Sequence, residues 1–295
     1  MSSDLSMPVP PGIDFSPPEE RQILLPDEYG TSVWMHAGRN ADRLPVLHLH
    51  GIQSHPGWFV GSCSHLAGRG YSVYQLTRRG SGNNRRGRGH ADSPDQLLDD
   101  LQHIVEAVLA ETDAEKLHLV GVSWGGKWAA AWLTARAEAQ SKIASLTLSA
   151  PGISPLVDVS TGTKLRIAGS LLVASRKRFP LPLDDPKLFT DNPPMRDFIA
   201  EDPLALHEAT ARFLYVSRKM DEMIGRASEG QLQLPTSLIL AETDPIIDNG
   251  QVEQVVRRLS ADEPQVVTLP GCHTLDFEPD PSEYYRTLTD CLERV

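Results

Sequence analysis

A serine, an acid and a histidine each stand just past an apolar run of this chain, settings that suit nucleophilic acyl chemistry. Ser123 occupies the G-x-S-x-G stretch Gly121 to Gly125, between the apolar run Lys116 to Val122 and an alanine-rich run that reads as a helix. A strand turning sharply into a helix holds such a serine clear of the sheet, and the helix N-terminus favours negative charge developing beside it. Gly121 and Gly125 leave room for that turn. A serine hydroxyl is a poor nucleophile near neutral pH, so it needs a general base, and the base needs a third group to orient it. Asp244 lies just past the apolar run that begins at Thr236, and His273 lies past the next run, from Gln265. Two other acids share the Asp244 loop. Glu242 would alternate to the same side of the strand as Asp244, but Asp244 lies at the strand's end and Asp248 suits the cap of the following helix. The expected catalytic set is therefore Ser123, Asp244 and His273.

Acyl transfer also needs N–H donors aimed at the developing oxyanion. The amide after the nucleophile, on Trp124, is one, and the stretch "LHLHGIQSHPGWF" offers the other, with His50 and Gly51 ending a strand and Ile52 presenting its amide. His48 and His50 could alternatively be a metal pair, but no carboxylate or cysteine stands near them in the chain to complete a site. No metal is expected.

These residues need a scaffold that delivers strand ends to one place. "RQILL" and "TSVWMHA", separated by "PDEYG", read as an antiparallel hairpin at a sheet edge. Six short, apolar, β-branched-rich runs follow, starting at Leu44, Tyr71, Lys116, Ala144, Thr236 and Gln265, and read as buried strands of a mostly parallel sheet. Helical patterns lie between them. In "SPDQLLDDLQHIVEAVLAE", Ser93 serves as N-cap, Pro94 as first helical residue and Gln96 closes a capping box. Alternation of strand and helix predicts a doubly wound α/β fold.

The domain reading has four parts: a proline-rich leader over 1–20, extended or disordered; core segments 21–152 and 232–295; and an insertion over 153–231. The insertion lacks a convincing buried strand, carries amphipathic helical patterns such as "GTKLRIAGSLLVASRKRF" and "DPLALHEATARFLYVSRKMDEMI", and is interrupted where Pro182, Pro186, Pro193 and Pro194 force turns. It is expected to form a helical cap over the C-terminal ends of the strands, where α/β sheets bind ligands.

Taken together, "HGIQSHPGWF", "RRGSGNN", "GVSWGG", "AETDPIID" and "GCHTLDF" resemble the α/β-hydrolase superfamily. The insertion wording "PLPLDDPKLFTDNPP" is similar to its lysophospholipase and monoacylglycerol-lipase-like branch, of the serine aminopeptidase S33 type. The resemblance runs from about Arg21 to the C-terminus. It implies Ser123, Asp244 and His273 as the triad, Ile52 and Trp124 as oxyanion donors, and cofactor-free action on small or lipid-like carboxylic esters. Two features depart from the pattern: the acid loop reads "AETD" where a glycine-led version is common, and Cys272 directly precedes the histidine. The same triad serves acyltransferases, thioesterases and peptidases, and the fold also hosts ligand-binding proteins with no reaction.

Composition bounds the partners. With 28 Lys and Arg against 39 Asp and Glu, the formal charge of −11 argues against broad binding to nucleic acid. No apolar run approaches the roughly 20 residues of a membrane span, and no basic segment leads into an apolar one, so stable membrane insertion is not expected and a cytoplasmic location is. Cys63, Cys272 and Cys291 read as free thiols. The sequence carries no signal for an oligomeric state. The five arginines between Arg78 and His90 could hold a substrate phosphate or carboxylate, but as a charge run they read first as a solvated connection.

Overall fold

The apolar runs pair as the alternation predicts. The computed structural model describes residues 7–40 and 42–294. The hairpin forms β1 (Glu19–Leu24) and β2 (Gly30–His36), and the six runs form β3 (Val46–Leu49), β4 (Val73–Leu76), β5 (Leu117–Val122), β6 (Ile143–Ser149), β9 (Thr236–Ala241) and β10 (Gln265–Leu269). They make one eight-stranded sheet in the order β1-β2-β4-β3-β5-β6-β9-β10. β1 and β2 are antiparallel, as are β2 and β4, and every other pairing is parallel. β3, β4, β5, β6 and β9 are buried throughout. β10 is only half-buried, because it is the edge strand and one flank has no neighbour.

Helices α1 (Val60–Gly68) and α8 (Ser282–Leu292) pack together against the sheet, while α2 (Pro94–Thr112) and α3 (Trp124–Ala135) form a second group. α2 begins where its capping residues put it: Ser93 Oγ accepts from the Gln96 amide at 3.1 Å, and Gln96 reaches back to the Asp92 amide at 2.8 Å. Leu97, Leu98, Leu101, Ile104, Val105 and Val108 are its buried face. After β9, Asp248 caps α7 (Asn249–Leu259) through the Gln251 amide.

The segment 153–231 joins β6 to β9 and departs from the sequence expectation in three places. It contains a small antiparallel ribbon, β7 (Arg178–Pro180) with β8 (Glu208–Thr210). The helical pattern starting at Asp202 becomes helix only at α6 (Ala211–Arg226), where Thr210 Oγ1 accepts from the Phe213 amide and sets the start. Pro193 and Pro194, expected to enforce turns, instead open α5 (Pro193–Glu201), since proline lacks only an amide that the first helical turn leaves unbonded. α4 (Thr161–Val173) lies almost wholly at the surface, with only Ser170 buried.

The leader falls partly on residues 1–6, which lie outside the described residues. Residues 7–18 contain no helix or strand, yet they are not a free arm: Met7 is buried against Trp34 and Val60, with Val9, Ile13 and Phe15 packed around them.

Candidate active site

Each residue of the expected catalytic set follows a parallel strand, and the three strands β5, β9 and β10 bring them together. Ser123 takes φ 53° and ψ −122° between β5 and α3, a strained backbone for a residue with a side chain. The turn is held from both sides, with the Ser123 amide donating to Ser149 O at 2.9 Å and the Gly152 amide to Ser123 O at 2.7 Å. Its glycines are steric requirements. A Cβ on Gly121 would meet Gly126 Cα at 2.6 Å, and one on Gly125 would collide with the Leu49 carbonyl.

Asp244 lies three residues past β9, its carboxylate fully buried, with Oδ1 accepting from the Ile246 and Ile247 amides at 2.8 and 3.2 Å. Oδ2 accepts from His273 Nδ1–H at 2.7 Å, and the opposite ring nitrogen, Nε2, lies 2.8 Å from Ser123 Oγ. With Nδ1 carrying the proton, Nε2 presents a lone pair to the hydroxyl, the arrangement a general base needs. The acid and histidine loops are tied to each other through Thr243, whose amide and hydroxyl both donate to Gly271 O. Glu242 is exposed at the surface of the same loop.

The loop after β3 closes over the serine. A Cβ on Gly51 would lie 3.3 Å from Ser123 Cβ, so this glycine permits the approach of the loop to the nucleophile. Among the described residues the Ile52 and Trp124 amides donate to no protein acceptor. His50 is buried and bridges two elements: Nδ1–H donates to Gly51 O at 2.7 Å and Nε2 accepts from the Arg78 amide at 3.1 Å. Burial, with the Arg78 charge added, holds its pKa well below the ordinary histidine value, so it is a neutral brace for this loop. His48 sits apart, beside the Phe59 ring, and burial pushes its pKa down to about 3.

The inserted segment reaches the site at several points that the sequence did not single out. Phe189 O accepts from the Thr274 amide at 2.9 Å, and the Phe189 ring meets His273 edge-on at 6.2 Å. Trp124 Nε1 donates to Ser217 Oγ of α6 at 2.9 Å, its ring stacks on Phe213, and Lys127 pairs with Asp221 at 2.9 Å. The signal that could have found these is the helical period of Phe213, Ser217 and Asp221, which places them on one face of α6.

The basic loop corrects the expectation of a solvated connection. Arg78 and Arg79 are buried. Arg79 is held by Asp100 at 2.7 Å and Asp27 at 2.8 Å, and Arg88 donates to the carbonyls of Gly82, Leu204 and Ala205. Only Arg85 and Arg86 are exposed. The loop is a packed structural element whose partners lie far away in the chain.

Just past the histidine, Asp276 is fully buried, its Oδ1 accepting from the Ser62 amide at 3.2 Å, and burial pushes its pKa up to about 7. A carboxyl whose folded pKa lies above its unfolded value is unproblematic while protonated in both states. It destabilises the fold progressively as pH rises from about 4 to about 7. Between pH 5 and pH 8 that decline amounts to roughly 2 to 3 kcal/mol, and Asp276→Asn is expected to remove it, read as the difference between urea midpoints at the two pH values. An Asn variant with the same pH difference as the parent would refute this assignment.

A family profile described as "Serine aminopeptidase, S33" matches residues 41–280. No curated protein matches the chain. Among solved structures, a soluble variant of monoglyceride lipase from Saccharomyces cerevisiae with a substrate analogue superimposes at TM-score 0.84 and 19% identity, covering 97% of this chain and 98% of that one. A monoacylglycerol lipase from Paleococcus ferrophilus gives 0.76 at 19% identity, with 90% and 99% covered. A thermostable carboxyl esterase from Bacillus coagulans in complex with glycerol gives 0.73 at 13% identity, with 94% and 99% covered. At these identities the likeness is one of fold.

Proposed function

Since the chain belongs to the serine aminopeptidase S33 family, we propose that it is a serine hydrolase that cleaves carboxylic esters through an acyl-enzyme on Ser123. The observation that carries this reading is the continuous chain Ser123 Oγ to His273 Nε2 at 2.8 Å and His273 Nδ1 to Asp244 Oδ2 at 2.7 Å. In it, His273 Nε2 takes the hydroxyl proton as Oγ attacks the ester carbonyl. The oxygen that becomes negative turns toward the Ile52 and Trp124 amides, and Asp244 steadies the imidazolium. Collapse expels the alcohol, which receives the proton from His273. Water then attacks the acyl-enzyme with His273 as base, releasing the acid and restoring Ser123.

Substrate class is read from segment 153–231. Leu156, Leu165, Leu172 and Val173 are exposed, three of them on α4, and such a concentration of apolar side chains at the surface favours an amphiphilic ester over a compact polar one. Among the described residues no helix is long and apolar enough to cross a membrane.

Labelling with a fluorophosphonate, followed by mass spectrometry, tests the nucleophile: adduct on Ser123, absent from Ser123→Ala, is expected. A panel of neutral esters graded in acyl length, with monoacylglycerol, lysophospholipid and aminoacyl-amide members, tests the substrate. The expected outcome is kcat/KM rising at least about tenfold from two-carbon to medium or long acyl groups. A flat profile would count against a lipid-like ester, and faster turnover of the amide would replace esterase by peptidase.

A further inference from the structure

Among the described residues, Arg78 is the one member of the basic loop that is buried and charged without an acid beside it. It is 1% exposed. Its Nη2 donates to Ile52 O at 3.0 Å and Nη1 to Arg79 O at 3.3 Å, while Nε is buried with no partner among the described residues. The guanidinium carbon lies 4.8 Å from the ring centroid of Trp124 and 4.8 Å from that of Phe213. Its neighbour Arg79 shows what a structural arginine looks like here, with two carboxylates closing its charge. Burial pushes the Arg78 pKa down to about 9, which leaves it charged at neutral pH.

A buried charge without a counter-ion opposes folding, and an apolar side chain of similar volume generally serves stability better. The presence of such a charge points to a negative charge that the described residues do not supply. Resting on the acyl-enzyme reading above, we propose that Arg78 is the buried counter-charge of the tetrahedral oxyanion, placed where its guanidinium touches both Ile52 and Trp124, the residues whose amides receive that oxygen. It acts as a positioning residue. It fixes the Ile52 carbonyl and so the loop that carries the Ile52 amide, and its field lowers the energy of the oxyanion more than that of the neutral ester. An interaction stronger in the transition state than in the ground state changes kcat and leaves KM nearly alone.

Activity and stability should consequently move in opposite directions. In Arg78→Met, kcat for a neutral p-nitrophenyl ester is expected to fall about 10- to 100-fold with KM within about threefold of the parent, while Tm stays level or rises. Inhibition by a trifluoromethyl ketone, which forms a charged hemiketal on the serine, should weaken in step with kcat. Arg78→Lys, which keeps the charge and loses the fork, should recover part of both. Arg78→Gln serves the same comparison if the methionine variant does not fold. The inference is overturned by an unchanged kcat, by a loss of Tm and rate that lysine does not restore, or by a KM increase confined to esters bearing a carboxylate or phosphate, which would make Arg78 a contact for an anionic substrate. Fluorophosphonate labelling of the parent separates the two levels. A labelled parent with an unaffected Arg78→Met removes this inference alone, whereas an unlabelled parent removes the nucleophile reading and this one with it.

Discussion

Ser123→Ala is expected to lower kcat for ester hydrolysis by about 10⁶, His273→Ala by a similar factor, and Asp244→Asn by about 10⁴, with KM within about threefold of the parent in each. In the proposed mechanism the three side chains act as a unit, because the hydroxyl is nucleophilic only while Nε2 accepts its proton across 2.8 Å, and Nε2 is free to accept only while Nδ1–H is held by Asp244 at 2.7 Å. Asn at 244 can offer its amide N–H to Nδ1, which drives the proton to Nε2 and turns the base into a donor facing the serine. The double variant Ser123→Ala with His273→Ala should therefore be no slower than either single one. Steady-state kinetics on purified variants decide the matter. Ser123→Ala retaining more than about one per cent of kcat, or a double variant further depressed by the product of the single effects, would remove Ser123 from its role.

The largest expected change in stability lies outside this constellation. Asp202, at the end of α5, is buried with its carboxylate fully enclosed, and receives His55 Nε2–H at 2.9 Å, Trp58 Nε1–H at 2.7 Å and the Leu204 amide at 2.9 Å. His55 Nδ1 accepts from the Gly57 amide, which fixes the proton on Nε2. Burial alone would raise the Asp202 pKa, but the hydrogen bonds from His55, Trp58 and Leu204 outweigh it and leave it lowered. The carboxylate accordingly stabilises the fold above the ordinary carboxylate range, and that contribution fades as acidification protonates it. Asp202→Ala strands three donors in a dry site and should cost about 3 to 5 kcal/mol, measured by urea unfolding. Asp202→Asn should cost less, since its carbonyl still accepts. A loss under about 1 kcal/mol for the alanine variant would show that water replaces the carboxylate.

The sheet was readable because each strand announces itself locally. A buried parallel strand is a short apolar run, and a helix such as α2 is bounded by capping residues three positions apart, so neither requires knowledge of distant chain. Asp244 and His273 were singled out by the same logic, as polar residues just beyond strands, and the structure brings both to Ser123. What escaped was decided by partners far away in sequence. Arg79 looks like any loop arginine until Asp27 and Asp100 are seen around it, 52 and 21 residues distant. Arg78 is hidden for the converse reason, since its setting is defined by Ile52 and Trp124 and by a missing acid. The helix α5 was obscured by Pro193 and Pro194, whose effect depends on whether they fall before a helix or within one.

The inserted segment is fastened unevenly, and this bears on how proteins built this way can change over evolutionary time. From Phe189 to Asp221 it is bound to the core by the Thr274 and Leu206 amide bonds, the Asp202 cluster, the Trp124 to Ser217 bond and the Lys127 to Asp221 pair. Past Leu156, whose amide donates to Ile246 O, and Val157, which packs on the core, no hydrogen bond or ion pair ties the stretch up to Val173 to the core among the described residues, and α4 buries only Ser170. Substitutions in the bound half would reach the histidine loop or the helix behind the serine and would be removed by selection. Those in the loose half would alter the surface offered to a substrate while leaving the reacting atoms in place. Divergence in what the enzyme accepts can thus accumulate in some twenty residues without passing through inactive intermediates, which makes α4 the natural place to begin a library for altered selectivity.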